Sequence, residues 1–344
     1  MENIENMDWE DFSPSPEDSG ELRKIQKIIR KRNWSIVLTS ITLVAALIIA
    51  SLYVGIPTLE SHYWDPTVST YSEHITDLSF AVRAYSELFV PEYTVLSADV
   101  TKTGFAAYDL SLLAVDYRNS NEYAHYNGTL IKNELNVPDG LWDYCIIGAF
   151  ANDGFSSDTY STINSTIDLL KQLPDYVKVR AIVSFPEDIN MWGVQELQSL
   201  LHATGTPGRD TIEWVAIRHC EEENNEYPLC GMKPYTTSTV YNMVGNINDS
   251  YPYFYINRYT KDTLEQHFTS LLQYSADQLS KGTGIVPEYS DLEDEYYRAV
   301  LDYVEENGVY SYGCTITTSA NTLLKLREMG TISEIYILDI WIGF

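Results

Sequence analysis

The sequence has few basic residues and few cysteines. Only 22 of its 344 residues are Lys or Arg, against 49 Asp or Glu, which gives a formal net charge of −27. This balance argues against a nucleic-acid binder, because phosphate binding requires a surplus of positive side chains. Four cysteines in a chain of this length exclude a disulfide-dense scaffold.

Catalytic signatures are missing from the sequence as well. It contains no G-x-S-x-G elbow, no H-E-x-x-H pair, no C-x-x-C pair and no P-loop. The six histidines are scattered, with no two at metal-binding spacing. We therefore expect no enzymatic activity, no metal and no cofactor. A surface hydrolase that uses Glu187, Asp188 or Asp291 is a weaker alternative, because these carboxylates have no recognisable spacing.

One long uncharged run lies near the N-terminus. Residues 34–54 contain 21 residues without a charge, and the run continues to Leu59 before Glu60. As a helix, those 21 residues would measure about 31 Å, the thickness of a hydrocarbon core. Trp34 and Tyr53 lie at its ends, where aromatic rings favour the headgroup level. The run predicts one transmembrane helix and not a signal peptide, whose apolar region is shorter.

Six basic residues, with no acid between them, precede this run. They are Arg23, Lys24, Lys27, Arg30, Lys31 and Arg32. The positive-inside rule therefore places residues 1–33 in the cytoplasm, the six cations at the membrane surface, and residues 55–344 outside the plasma membrane. The outer segment holds 16 basic residues against 41 acidic ones.

Residues 1–33 are too few to bury a core of their own. Residues 1–20 are acidic and polar, which is typical of a disordered tail or a short peptide ligand. The residues after Ser15 predict an amphipathic helix, which either lies on anionic lipid or docks a cytoplasmic partner. In the second case the apolar anchors are Trp9, Phe12, Leu22, Ile25, Ile28 and Ile29.

The outer segment divides into two predicted regions, residues 55–140 and residues 141–344. In the first, periodicity predicts a helix over residues 71–90 and a strand over Tyr108–Tyr117. In the second, strand and helix patterns alternate from residue 165 onwards. This order predicts an α+β fold in which strand–helix–strand units form a sheet with helices on one face.

The last forty residues carry the clearest local signals. Alternating residues predict strands over residues 309–318 and 332–342. Between them, Ser319 is a candidate N-cap for a helix that runs to Met329, and Gly330 is a candidate C′ glycine.

Two of the cysteines enclose a short acidic loop. In an oxidising exterior, Cys220 and Cys230 are candidates for a hairpin disulfide, with Cys145 and Cys314 as buried thiols or as a second pair. The sequence allows three full pairings and does not choose among them.

A longer phrase near the C-terminus resembles a known family. Residues 301–326 read LDYVEENGVYSYG followed by CTITTSANTLLKL. This phrase resembles the C-terminal region of membrane-anchored anti-sigma factors of Gram-positive bacteria, which have paired sigma factor regulator N-terminal and C-terminal domains. The basic run, the span and the segment Tyr63-Trp64-Asp65-Pro66 resemble the N-terminal domain. The resemblance covers roughly residues 22–115 and 165–343.

The resemblance implies a regulatory function. The cytoplasmic part would hold an extracytoplasmic-function sigma factor away from RNA polymerase, and the outer part would sense conditions in the envelope. Family members usually have a larger folded module before the span than the 33 residues here. The chain would then bind through a short helix, or assist a second membrane regulatory subunit or a second copy. The alternative is a membrane-tethered exported sensor module without sigma factor contact.

Overall fold

A long N-terminal helix and a larger α+β unit make up the chain in this computed structural model. The structure describes residues 16–70, 75–117, 122–136, 157–204, 210–220, 229–234, 250–255, 260–282 and 293–342. Contacts between residues divide the chain into two units, Met1–His62 and Tyr63–Phe344.

The N-terminal unit carries the basic segment and the apolar run on one helix. Helix α1 (Pro16–Ala50) passes into a single π turn (Ser51–Gly55) and then into the short helix α2 (Ile56–Glu60). The outer end of the predicted span therefore lies in the wider π turn. This helix is long and apolar enough to cross a membrane once, which supports a single-pass anchor.

The second unit begins with a helix and a small sheet. Helix α3 (Asp77–Phe89) packs against an antiparallel sheet in the order β1-β2-β3-β4. The strands are β1 (Tyr93–Gly104), β2 (Ala107–Asp116), β3 (Glu122–Ile131) and β4 (Glu134–Asn136). The helix predicted over residues 71–90 and the strand predicted over 108–117 are confirmed with these bounds, while residues 71–74 lie outside the described residues.

A second antiparallel sheet has five strands in the order β7-β6-β8-β5-β9. These strands are β5 (Val177–Asn190), β6 (Thr211–Ile217), β7 (Gly231–Met232), β8 (Tyr310–Ser319) and β9 (Glu334–Ile342). Helices α4 (Ser157–Gln172), α5 (Met191–Thr204), α6 (Lys261–Ser280), α7 (Glu293–Asn307) and α8 (Ala320–Glu328) accompany them. The predicted α+β class is confirmed.

The local signals near the C-terminus are confirmed in detail. The Ser319 hydroxyl accepts a hydrogen bond from the Thr322 amide at 3.2 Å and caps α8. Gly330 adopts a φ of +73°, the left-handed conformation that ends many helices.

Side chains from strand β5 are buried on both faces of the five-stranded sheet. Val179, Ala181 and Val183 point into the main hydrophobic core, whereas Ile182 packs with Trp214 and Ala216 on the opposite face. Because side chains alternate along a strand, Arg180 shares this second face with Ile182. The second face therefore combines apolar and charged residues that are hidden from solvent.

The predicted boundary near residue 140 lies among residues 137–156, outside the described residues. The division into regions 55–140 and 141–344 therefore stays a prediction. Described residues from both sides of that gap contribute to one hydrophobic core in the second unit.

Candidate functional sites: an exposed helix and a buried ionic cluster

The predicted partner-binding residues that the structure describes form one stripe on α1. Leu22, Ile25, Ile28 and Ile29 lie within an arc of about 120° around the helix axis. Their side chains are between 48% and 67% exposed, so within this unit they contribute to no core. Trp9 and Phe12 lie outside the described residues.

The six predicted membrane-surface cations are all exposed on the same helix. Arg23, Lys24, Lys27, Arg30 and Lys31 fall on the side opposite the apolar stripe, whereas Arg32 falls within the arc of the stripe. The segment thus has a basic side and an apolar side, as expected for a helix that binds at a surface or in a groove.

The basic segment continues into the apolar run without a break. Residues 16–33 and the predicted span up to Ala50 belong to the same α-helix. At 1.5 Å per residue, the 18 residues ahead of Trp34 form a coaxial extension of about 27 Å. A coaxial extension of a tilted span leads away from the bilayer and does not lie along it.

A second candidate site lies inside the α+β unit, where charged side chains are buried together. We call it the ionic cluster. Its members are Arg83, Glu87, Glu92, Arg180, Glu213, Lys233 and His267, and all are at most 5% exposed. Buried charges are costly unless they are paired, so such a cluster depends on every partner being in place.

Glu87 on α3 lies at the centre of the cluster. Its Oε1 lies 2.7 Å from Arg83 Nε, and its Oε2 lies 2.9 Å from His267 Nε2 on α6. Burial by itself would raise the pKa of this carboxyl, but Arg83, His267 and Lys233 lower it to about 2. Glu87 is therefore ionised at neutral pH. The guanidinium of Arg83 also stacks over the ring of Tyr255 at 4.5 Å.

The imidazole of His267 is held between two acceptors. Nδ1 lies 2.8 Å from the carbonyl oxygen of Tyr253, and Nε2 faces the ionised carboxylate of Glu87. Both oxygens are hydrogen-bond acceptors, so the ring is oriented by contacts at both of its nitrogens. The charge-assisted bond to Glu87 joins α6 to α3.

Arg180 and Glu213 form the second pair of the cluster, across strands of the five-stranded sheet. Arg180 Nε donates to Glu213 Oε2 at 2.6 Å, and Arg180 Nη1 lies 3.8 Å from Glu92 Oε1. Burial acts against the charge of Arg180, but these carboxylates and Asp116 raise its pKa overall. Because Glu92 lies between α3 and β1, its contact with Arg180 connects the five-stranded sheet to the start of the small sheet.

Lys233 follows β7 and is fully buried. Its Nζ donates to the carbonyl oxygens of Val90 at 3.0 Å and Pro91 at 3.4 Å, and lies 4.9 Å from the centre of the Tyr117 ring. Burial lowers the pKa of Lys233 to about 7, although Glu87 and Glu213 oppose that shift. Its contacts with Val90 and Pro91 attach the end of α3 to the five-stranded sheet.

The ionic cluster and one indole bond join the small sheet with its helix to the five-stranded sheet. Trp214 Nε1 on β6 donates to the backbone oxygen of Glu87 at 2.8 Å, next to the cluster. Sequence reasoning did not find these residues, because their partners are far apart along the chain. One signal was present: Glu213 is the one charged residue in the sequence of β6, and Arg180 lies in the mostly apolar first part of β5, residues 177–185, where Lys178 is the other charge.

Cys220 is half-buried and Cys230 is fully buried, and both are thiols in the structure. Burial raises the pKa of Cys230 to about 12. The Cys220–Cys230 disulfide stays a prediction that intact mass before and after reduction would test. Within the described ranges, no three His, Cys, Asp or Glu side chains group as a metal site.

Comparison with known proteins gives one family match, which lies in the C-terminal half of the chain. Residues 170–337 match the family described as "Sigma factor regulator C-terminal". The match supports the anti-sigma regulator family and therefore a sigma factor as the general kind of partner. No curated protein and no solved structure matches the chain.

The matched region contains only part of the ionic cluster. Arg180, Glu213, Lys233 and His267 lie within it, whereas Arg83, Glu87 and Glu92 precede it. The segment that precedes the matched region thus supplies three of the seven side chains of the ionic cluster. The likeness of this preceding segment to a sigma factor regulator N-terminal domain stays a prediction.

Proposed function

We propose that this chain is a single-pass plasma membrane regulator that resembles an anti-sigma factor. Its cytoplasmic segment, residues 1–33, binds an extracytoplasmic-function sigma factor, and its α+β unit senses the condition of the envelope. The observation that carries the proposal is the sigma factor regulator match over residues 170–337, in a chain that also has one helix long enough to cross a membrane.

The geometry of α1 supports the partner-binding use of the inner segment. The apolar stripe of Leu22, Ile25, Ile28 and Ile29 is exposed, and the helix leads away from the bilayer as an extension of the span. An amphipathic helix of this kind binds an apolar groove on a partner through residues spaced by three and four. The six cations favour a groove with an acidic rim.

The test is recovery of a sigma factor with the full-length protein in mild detergent. The wild-type chain is expected to recover it, and a variant with Leu22→Ser, Ile25→Ser and Ile29→Ser is expected to lose most of the bound protein. The matched control is Gln26→Ser with Asn33→Ser, two exposed positions of α1 that precede the span and lie outside the stripe. If the wild-type protein recovers no sigma factor, direct contact is refuted and the tethered sensor module becomes the better interpretation.

Orientation needs its own experiment, because the proposal requires the N-terminus in the cytoplasm. The six cations that precede the apolar run, set against the acidic flank that follows it, predict this orientation. A reporter fused ahead of Met1 should resist protease on intact cells, and one placed after Ile342 should be cleaved. Cleavage of the N-terminal reporter on intact cells would refute the proposed topology.

A further inference from the structure

Two hairpin turns lie side by side at one end of the four-stranded sheet. Phe105 and Ala106 connect β1 to β2, and Lys132 and Asn133 connect β3 to β4. The turns touch, since the amide of Lys132 donates to the carbonyl oxygen of Ala106 at 2.8 Å. We call these four turn residues, together with the adjacent Ile131, the double-hairpin tip.

The segment that follows the long helix is attached to this tip. The ring of Tyr63 meets the ring of Phe105 edge to face, with centroids 5.9 Å apart. The amide of Trp64 donates to Asn133 Oδ1 at 2.8 Å. Both turns are therefore fixed to two consecutive residues of the chain.

Chain length limits how far Tyr63 can lie from the last residue of α2. Glu60 is the last residue of α2 and the first charge after the uncharged run, so it belongs at the headgroup level. Tyr63 follows three residues later, and three residues reach at most about 11 Å. The covalent chain therefore confines Tyr63, and with it Phe105, to the neighbourhood of the headgroup layer.

The composition of the tip fits that layer. Phe105 is 41% exposed and Ile131 is 48% exposed, although both are apolar. Lys102 and Lys132 are exposed beside them, and Glu134 is the acidic residue next to the second turn. Apolar side chains flanked by lysines suit a bilayer surface, where the aliphatic stems reach inward and the ammonium groups meet phosphates.

We propose that the double-hairpin tip rests on the lipid headgroup layer of the membrane that the long helix crosses. Phe105 and Ile131 enter the interface, and Lys102 and Lys132 contact lipid phosphates. The excess of acidic residues in the outer segment is repelled by anionic lipid, so the contact stays confined to this tip. The tip would fix the orientation of the α+β unit above the bilayer. This contact requires the membrane anchor but no sigma factor.

Site-specific photocrosslinking tests the contact in the full-length protein. A benzophenone amino acid replaces Phe105, and the protein is reconstituted in vesicles of phosphatidylcholine and phosphatidylglycerol in equal parts. Tyr123 is the matched control, because it is a 60% exposed aromatic residue at the opposite end of β3. Eight residues of strand place it about 26 Å from Ile131. We expect lipid adducts at position 105 in at least about fivefold excess over position 123, since a residue that far from the tip lies outside the interface.

Equal lipid yields at the two positions would overturn the proposal, and so would an adduct at position 105 that forms on protein instead of lipid. The same photoreactive residue at Ile131 lies on the other hairpin and repeats the test if position 105 tolerates the substitution poorly. Replacing Lys102 and Lys132 by Gln should lower the lipid yield at position 105 by about twofold or more in the anionic vesicles. The same replacement should leave the yield in pure phosphatidylcholine unchanged; an equal fall in both vesicle types would refute the contact with anionic phosphates.

Discussion

The same kinds of charged residue occupy opposite environments in the two units of this chain. On α1, six Arg and Lys side chains are exposed along one helix. In the α+β unit, Arg83, Arg180 and Lys233 are buried and paired with carboxylates or carbonyl oxygens. Exposed charges contribute little to stability and remain available to a partner, whereas buried charges become part of the fold. The comparison therefore separates side chains that stay exposed, as the proposed contact with a partner requires, from side chains that stabilise the fold.

The largest effect is expected where a buried pair is broken. Glu87→Gln leaves Arg83, His267 and Lys233 without their central anion, and the loss of one partner from a buried ionic group costs about 3–5 kcal/mol. Urea unfolding of the full-length protein in detergent micelles should show a much lower midpoint for this variant. Glu306→Gln, an exposed carboxylate on α7, is the control and should stay within about 0.5 kcal/mol of wild type.

The pH dependence of the unfolding free energy tests the role of Glu87 independently. The pKa of Glu87 is held near 2 in the folded chain, below the value of about 4.3 expected when unfolded. Its contribution to stability is therefore present above about pH 4.3 and is lost as the pH falls towards 2. The stability gap between wild type and Glu87→Gln should narrow over that window. A gap that stays constant from pH 6 to pH 3 would contradict the assignment of Glu87 as the ionised centre.

The next effect concerns the fully buried lysine. The pKa of Lys233 is about 7 in the folded chain, against about 10.4 in an unfolded one. Between those values the unfolded chain holds a proton that the folded chain has released, so raising the pH favours folding by up to about 1.4 kcal/mol per pH unit. Lys233→Met should remove this rise from the unfolding free energy measured between pH 7 and pH 9, and Lys325→Met on the surface of α8 should keep it. Equal slopes in the two variants would contradict the low pKa of Lys233.

How far the sequence predicted these two environments depends on the distance between interacting residues. The uncharged run up to Leu59 and the six cations before it are local patterns, and they predict the anchoring helix directly. The Glu87–His267 contact joins residues 180 positions apart, and no local period encodes it. The strand order β7-β6-β8-β5-β9 likewise depends on long-range pairing, which a single sequence does not reveal.

A smaller effect on stability is expected at the N-cap of α8, which is a local interaction. The Ser319 hydroxyl accepts one hydrogen bond from the Thr322 amide at the start of α8, as the sequence predicts. Ser319→Ala removes that cap and should cost about 1 kcal/mol. Ser319→Gly should cost only a few tenths, because water can then reach the open amide. If Ser319→Ala lowers the unfolding free energy as much as Glu87→Gln does, the prediction that the buried ionic contacts contribute more than this local cap is wrong.

The smallest effect on stability is expected for substitution of the exposed cations on α1. Arg23, Lys24 and Lys27 are exposed and lie on the side of the helix opposite the apolar stripe. Replacing all three by Gln should leave the free energy of unfolding of the α+β unit, measured in urea, unchanged within about 0.5 kcal/mol, because no buried partner loses its counter-charge. The same variant should weaken recovery of the sigma factor and reduce the dependence of that recovery on salt, since exposed charges act on association. If the triple variant instead lowers the free energy of unfolding by several kcal/mol, these cations stabilise the fold and are not reserved for a partner.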